Sequence, residues 1–188
     1  MIMKKLALLF LVLQSLFVVA KSNDTLLIKV AEGVHKKWGS DKDHRKVILV
    51  DFSKPLEEER LYIVDLDTRT IVKKTRVCHG IGSGEGSIPT KFSDTHGSKM
   101  SSKGVMRTSK TYYGSWGYSM VVDGLEKGVN GNARGRAIIF HNSDKQRAFW
   151  SWGCFSIPGE DSKKVIDMTK GGCLIYSFST KEELLKYL

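Results

Sequence analysis

At 188 residues the chain has the length of one domain and is long enough to bury a hydrophobic core without disulfide or metal cross-links. Its 30 Lys and Arg against 20 Asp and Glu give a formal net charge of +10, which suits contact with an anionic polymer or membrane surface. No Lys/Arg run exceeds two residues, so a scattered, solvated basic surface is predicted and no nucleic-acid partner is expected.

Residues 1–20 have the pattern of a secretory signal peptide. Lys4 and Lys5 precede an apolar run over residues 6–19, and small residues ending at Ala20 form a cleavage site. The run is shorter than the ~20 residues that a membrane-spanning helix needs, which favours a signal over a membrane anchor. The sequence therefore predicts export, with the mature protein in the periplasm or cell envelope.

The next segment, residues 21–45, is interpreted as an amino-terminal helix and connector. Asn23 or Asp24 is the expected helix cap, and the helix is expected to pack on a sheet. Its apolar residues recur at helical spacing, at Leu26, Leu27, Val30, Val34 and Trp38.

The remainder, residues 46–188, is predicted to be one domain made mainly of strands. The predicted strands are Lys46–Phe52, Arg60–Leu66, Thr70–Cys78, Gly104–Thr108, Tyr118–Asp123, Arg136–His141 and Cys173–Phe178. A glycine- and serine-rich stretch from His79 to Lys103 indicates a long loop near a site. A helix with Glu160 and Asp161 in its first turn precedes the last strand. The fold class is therefore β-rich, with peripheral helices.

The most informative motif is Ser151-Trp152-Gly153-Cys154, with His141 upstream at the end of an apolar run. A cysteine attacks as its thiolate, and an imidazole beside it lowers the thiol pKa. A glycine before the nucleophile leaves room for substrate, and the Gly153 and Cys154 N–H groups are candidate oxyanion donors. The pattern predicts acyl transfer, with a buried structural cysteine as the alternative.

Other chemistries fit the sequence less well. Papain-like peptidases place the base histidine after the nucleophile, and no histidine follows His141 in this chain. No serine has a lysine three residues later, which excludes the Ser-x-x-Lys nucleophile. Metal-ligand spacings are lacking, so no metal or other cofactor is expected. Cys78 and Cys173 are interpreted either as a disulfide pair or as two buried free thiols.

The chain from Val47 to Phe178 resembles the murein L,D-transpeptidase catalytic domain family, in its exported branch. The matching segments are Asp51–Pro55, Arg60–Tyr62, Cys78–Gly80, Lys91–Ser93, Gly97–Ser102, Tyr112–Gly114, Asp123–Gly128, Asn130, Ala133–Arg134, His141 and Ser151–Cys154. The resemblance implies a YkuD-like β-sandwich or barrel, in which Cys154 forms a thioester with a peptidoglycan stem peptide and His141 is the base. It also implies that Asn142 orients His141 through its backbone carbonyl.

Further residues are candidates for substrate contacts or loop support. Ser151 either hydrogen-bonds within its own loop or lines the donor site. Tyr112, Tyr113, Trp116 and Trp152 either line a peptide groove or belong to the core. Arg134 and Arg136 either bind a stem-peptide carboxylate or have a structural role, and His79 is expected to support the site from the loop.

Three functions remain open from the sequence. The first is an exported cysteine L,D-transpeptidase that passes the stem-peptide acyl group to an amine. The second uses water as the acceptor, which gives an L,D-carboxypeptidase or amidase. The third is a non-catalytic cell-wall-binding module, and it is disfavoured because both Cys154 and His141 are present. The acceptor, the stem-peptide chemistry and the oligomeric state are not predicted.

Overall fold

The computed structural model describes residues 23–40, 44–143 and 150–188, and the predicted signal peptide lies outside these ranges. The strands are β1 (Lys46–Asp51), β2 (Leu61–Asp65), β3 (Thr70–Thr75), β4 (His79–Gly80), β5 (Gly104–Gly114), β6 (Gly117–Gly124), β7 (Ile139–Asn142), β8 (Trp150–Ser151), β9 (Phe155–Ile157) and β10 (Leu174–Phe178). The helices are α1 (residues 23–38), α2 (Gly159–Thr169) and α3 (Lys181–Leu185), and a 3-10 turn covers Ile81–Ser83. Within the described ranges, no helix has the length and apolar character needed to span a bilayer.

One eight-stranded sheet organises the molecule, in the order β3-β2-β1-β10-β5-β6-β7-β9. The pairs β1–β10 and β7–β9 are parallel and the other neighbours are antiparallel. A second, two-stranded sheet joins β4 to β8 in parallel. The predicted β-rich fold with peripheral helices is confirmed.

The central strand β1 is buried on both faces. Val47 and Leu49 pack in the apolar cluster that includes α1, whereas Ile48 and Val50 pack in the cluster that includes α2. Successive side chains of a strand point to opposite faces, so this alternation places one helical layer on each side of the sheet. The expectation that the amino-terminal helix packs on the sheet is confirmed.

The predicted cap of α1 is wrong. Asn23 and Asp24 already lie within the helical residues, so neither of them precedes the first turn. The Asp24 carboxylate instead accepts hydrogen bonds from Lys74 Nζ at 2.8 and 2.9 Å, which ties α1 to β3.

The sheet curls so that its distant strands meet. Phe52 directly follows β1, yet its ring stacks on that of Phe155 in β9, with centroids 6.5 Å apart. Phe155 also stacks on Phe140 in β7 at 4.8 Å, and all three rings are fully buried. This aromatic stack lies on the inner face of β7 and β9, which leaves their other face for polar side chains.

Three predicted strands differ from the structure by three residues or more, and one of them, predicted over Gly104–Thr108, extends to Gly114 as the first strand of the β5–β6 hairpin. The strand predicted to reach Cys78 ends at Thr75, because the chain then crosses to β9, where Cys78 N–H donates to Ser156 O at 2.8 Å. The strand predicted from Arg136 starts at Ile139, because Ala137 has a left-handed φ of 56° that breaks the extended backbone.

Replacing Phe155 by alanine is predicted to lower the free energy of unfolding by about 3–5 kcal/mol, because it opens a cavity within the stacked rings. Tyr113→Ala is the matched control, since it truncates an aromatic ring that is 79% exposed, and its expected cost is under about 1 kcal/mol. Urea denaturation of both variants measures the difference. Equal stability losses would mean that the Phe155 ring does not hold β9 in place.

Candidate active site

The register of β7 and β9 brings the segments that carry the predicted nucleophile and base side by side. His141 pairs with Ser156 and Phe140 pairs with Phe155. Cys154 directly precedes Phe155, the first residue of β9, at the end of a bend over residues 152–154. Cys154 and His141 therefore lie in neighbouring segments, one just before β9 and the other within β7.

The Cys154 side chain is half-buried and faces the backbone before β7. Its thiol donates a hydrogen bond to Ala137 O at a distance of 3.5 Å. Burial raises the pKa of the Cys154 thiol, and this outweighs the lowering effects of the Ile139 backbone N–H and the Arg136 charge. Cys154 is therefore a neutral thiol at pH 7 in this state.

The His141 ring is buried and held in one tautomer. Its Nδ1 lies 2.8 Å from Asn142 O, and because a carbonyl only accepts, Nδ1 carries the proton and Nε2 has the free lone pair. Burial lowers the pKa of His141 below its usual 6.5, so the ring is neutral at pH 7. The expected lowering of the Cys154 pKa by the imidazole is not found, because burial raises the pKa of the thiol and the histidine is itself neutral.

An exposed aromatic ring covers the histidine. Trp116 lies at the tip of the β5–β6 hairpin, and its ring centroid is 4.9 Å from that of His141. The hairpin thus shields one side of the imidazole from solvent. This contact explains part of the burial that keeps the ring neutral.

Ser151 and Gly153 form a hydrogen-bonded turn that leads to Cys154. Ser151 Oγ accepts from Gly153 N at 3.1 Å and donates to Cys154 O at 2.7 Å. The loop-support alternative for Ser151 matches this geometry. The Gly153 N–H is engaged, so its expected oxyanion role does not hold in this state, whereas Cys154 N–H makes no hydrogen bond within the described ranges.

A segment of the glycine-rich loop, residues 98–100, is wedged against this turn. Gly153 has φ +107°, and a Cβ there would lie 2.5 Å from Met100 O. On the other side, a Cβ on Gly80 or Gly82 would lie 2.2 Å from the Lys99 or Ser98 carbonyl oxygen. Close backbone approach thus requires glycine at all three positions. The expectation of a long loop near the site is confirmed.

Arg136 and Arg134 differ in their surroundings. The Arg136 guanidinium donates to Ser93 O, Ser102 Oγ, Met100 O and Ser98 Oγ, at 2.6, 2.8, 2.7 and 3.3 Å. Arg134 forms a two-pronged contact with the Asp123 carboxylate and also donates to Ser109 Oγ at 2.9 Å. Both guanidinium groups therefore have protein partners, which favours the structural alternative over binding of a stem-peptide carboxylate.

His79 is buried away from the candidate pair. Its Nδ1 accepts from Arg60 Nη2 at 3.0 Å, so Nε2 carries the proton and donates to Gly84 O at 3.1 Å. Arg60, itself fully buried, also donates to Val77 O. His79 thus links a buried cation to the glycine-rich loop, and β4, which contains it, pairs with β8 beside Ser151.

The four candidate aromatic residues all lie at the surface. Tyr112, Tyr113, Trp116 and Trp152 are 40%, 79%, 37% and 68% exposed, so the core alternative is wrong for them. Lys99 Nζ lies 4.7 Å from the centroid of the Trp152 ring. Trp116 and Trp152 lie beside the candidate pair, one on the hairpin tip and the other in the 151–154 turn.

The three cysteines are free, so the Cys78–Cys173 disulfide alternative is wrong. Cys173 is fully buried and its thiol donates to Lys46 O at 3.1 Å. Burial raises the pKa of both thiols. Burial raises the pKa of Cys154 as well, so Cys154 is distinguished from Cys78 and Cys173 by its position before β9 and not by its acidity.

Some contacts of the site were not predictable from local sequence. The contact between Gly153 and Met100 and the fit of residues 98–100 against Gly80 and Gly82 join segments far apart in the chain. The bend at Ala137 is also unexpected, because a left-handed φ is uncommon for alanine. The close spacing of Gly80 and Gly82 is the sequence signal that could have indicated the close backbone packing of this loop.

The sequence model of the L,D-transpeptidase catalytic domain matches residues 20–178. A comparison with curated proteins finds no match.

Among solved structures, the helical cell shape determining protein Pgp2 (K307A mutant) from Campylobacter jejuni is similar at 8% identity and TM-score 0.51, covering 84% of this chain and 57% of that one. Bd1075 from Bdellovibrio bacteriovorus is similar at 16% identity and TM-score 0.49, covering 79% and 54%. The chain thus spans little more than half the length of either structure. At such identities the likeness to Pgp2 supports the fold alone.

Gly153→Ala is predicted to destabilise the protein by at least about 3 kcal/mol, because the new Cβ adds a collision with Met100 O to the strain of a positive φ. Gly171→Ala is the matched control, since Gly171 has φ +87° with nothing within 4 Å of the new Cβ, and strain alone costs about 1 kcal/mol. Thermal and urea unfolding compare the two variants. The contact between the 98–100 segment and the 151–154 turn is refuted if Gly153→Ala is as stable as Gly171→Ala.

Proposed function

The chain belongs to the L,D-transpeptidase catalytic domain family, and from that membership we propose that it is an exported cysteine transpeptidase that acts on peptidoglycan stem peptides. The observation that supports the proposal is the β7–β9 pairing, which brings the strand containing His141 next to the strand that Cys154 directly precedes. Cys154 is proposed as the nucleophile and His141 as the base. The amino-terminal pattern of residues 1–20 supports export.

The proposed reaction starts from the neutral pair. His141 Nε2 takes the proton of the Cys154 thiol as the sulfur attacks the carbonyl carbon of the third residue of a tetrapeptide stem. The Cys154 N–H is the proposed donor to the resulting oxyanion. When the intermediate collapses, the C–N bond breaks, and the terminal D-alanine leaves with the proton that His141 returns. A thioester on Cys154 remains.

The second half reverses these roles. An acceptor amine loses a proton to His141 Nε2 and attacks the thioester carbonyl, and the C–S bond then breaks to restore the Cys154 thiol. The result is a new amide bond between two stem peptides. Because Asn142 O fixes the Nδ1 proton, Nε2 exchanges protons in both halves without a change of tautomer.

Product analysis with purified muropeptides tests the function. The full-length protein is incubated with disaccharide tetrapeptides, and product masses are read by mass spectrometry. Cross-linked dimers with loss of one D-alanine are the expected result. Tripeptides alone would assign the reaction to hydrolysis and overturn the transpeptidase proposal, and unchanged tetrapeptides under conditions in which Cys154 is intact would favour the wall-binding module.

His141→Ala is predicted to lower the acylation rate by about 10²-fold or more, because it removes the imidazole that accepts the thiol proton. His96→Ala is the matched control, since His96 is exposed and its expected effect is less than about twofold. Stopped-flow or quenched mass spectrometry with a reactive acyl donor gives both rates. Similar rates for the two variants would remove His141 from the mechanism.

The acid limb of the acylation rate is predicted to lie below pH 6.5. Acylation needs neutral His141, and burial lowers the pKa of that ring, so activity persists until the pH falls through the lowered value. Trp116→Ala exposes the ring and is expected to move the limb upward toward pH 6.5. Acylation rates measured from about pH 4 to pH 9 give the limb for both proteins. A wild-type limb above pH 6.5 would contradict this assignment.

A further inference from the structure

Arg136 combines a positive charge with an unusually complete set of hydrogen bonds. Its two terminal nitrogens donate to two backbone carbonyls and two serine hydroxyls, all on residues 93–102. These partners span the segment that is wedged beneath the 151–154 turn. The guanidinium therefore fixes where that segment lies, through a planar fork that a lysine does not reproduce.

The same guanidinium lies beside the turn that precedes Cys154. An ideal Cβ built on Gly153 would be 3.3 Å from Arg136 Nη2, while the Met100 carbonyl that Arg136 holds would be 2.5 Å away. The Arg136 guanidinium thus lies next to Gly153 of the 151–154 turn. A substituent at Gly153 would displace either the guanidinium or its carbonyl partner.

The charges around Cys154 identify Arg136 as its electrostatic partner. The candidate base, His141, is neutral, as the Nδ1 contact and the burial of the ring require. In the part of the chain that the structure describes, Arg136 is the cation that acts on Cys154, and Asp94 is the acidic group that acts on Arg136. The Lys99 ammonium faces the Trp152 ring. A thiolate that forms on Cys154 would therefore have Arg136 as its compensating charge.

We propose that Arg136 is a positioning residue that holds the 98–100 segment against the 151–154 turn and supplies the fixed positive charge that stabilises the Cys154 thiolate. This inference rests on the proposed function, because it assigns Arg136 a role toward the proposed nucleophile. The division of labour follows: His141 moves the proton, and Arg136 stabilises the negative charge that the proton leaves behind. Arg136 acts by keeping the 151–154 turn in place and through the electrostatic field of its charge, and it does not contact the substrate.

Alkylation of Cys154 by iodoacetamide across pH tests this role without any peptidoglycan substrate. The reagent reacts with the thiolate, so the pH midpoint reports how well the thiolate is stabilised. Arg136→Gln is expected to raise the midpoint by about one pH unit and to slow alkylation at pH 7.5 roughly tenfold. Arg45→Gln is the control, since Arg45 is an exposed, ion-paired arginine outside the site, and it should leave the midpoint unchanged.

Two further variants separate charge from structure. Arg136→Lys keeps the charge and loses the fork, so it should lower the melting temperature but shift the midpoint by less than about 0.5 units. Asp94→Asn removes the opposing negative charge and should lower the midpoint, the opposite direction to Arg136→Gln, which keeps the test valid if Arg136→Gln does not fold. A purely structural role predicts that Arg136→Lys, which loses the fork, shifts the midpoint as far as Arg136→Gln does.

The outcomes distinguish this inference from the proposed function. If alkylation of the wild-type protein maps to Cys78 or Cys173 and Cys154 stays unmodified, the proposed function fails. If Cys154 is alkylated but neither Arg136→Gln nor Asp94→Asn moves its midpoint, the proposed function stands and the role of Arg136 is overturned.

Discussion

The parallel pairing of β7 with β9 is the constraint on which the candidate site depends. On the inner face, Phe140 stacks on Phe155 and anchors both strands in the core. On the outer face, the same register places His141 beside the residues that follow Cys154. A slip of one residue would turn every side chain of β9 to the opposite face. The aromatic stack therefore fixes the chemistry of the surface through the register, without contacting either reactive group.

Backbone packing provides the second layer of support. Residues 98–100 lie between Gly80 and Gly82 on one side and Gly153 on the other, too close for any Cβ. Two of the packed carbonyl oxygens have donors, since Met100 O accepts from the Arg136 guanidinium and Lys99 O accepts from Gly82 N–H. Glycine residues thus allow the backbone segments to pack closely, and one arginine provides a hydrogen bond to a carbonyl oxygen within this packing. His79 and Arg60 do the same for the start of the glycine-rich loop.

Seven of the ten strands that the described residues form were predictable because they are encoded locally, whereas the short strands β4, β8 and β9 were not predicted. Continuous apolar runs indicate β1 and β2, and the order of His141 and Cys154 restricts the chemistry. Properties that depend on contacts through space were not predictable. The neutral state of His141 follows from its burial. The Gly153 N–H is not available as an oxyanion donor because it donates to Ser151 Oγ. The Arg134 guanidinium is engaged by the Asp123 carboxylate, which lies eleven residues earlier in the chain.

A neutral thiol and a neutral imidazole in neighbouring segments fit a nucleophile that is deprotonated as it attacks. The central claim of this account is a thioester at Cys154. The most direct measurement is acid-quenched intact-mass analysis of the protein mixed with a tetrapeptide stem, followed by proteolysis to locate the acyl group. The account predicts a mass gain equal to the mass of the tetrapeptide minus the mass of free D-alanine. This gain is located on the Cys154 peptide and is absent from Cys154→Ala. The same acyl group on another residue, or turnover by Cys154→Ala, would contradict it.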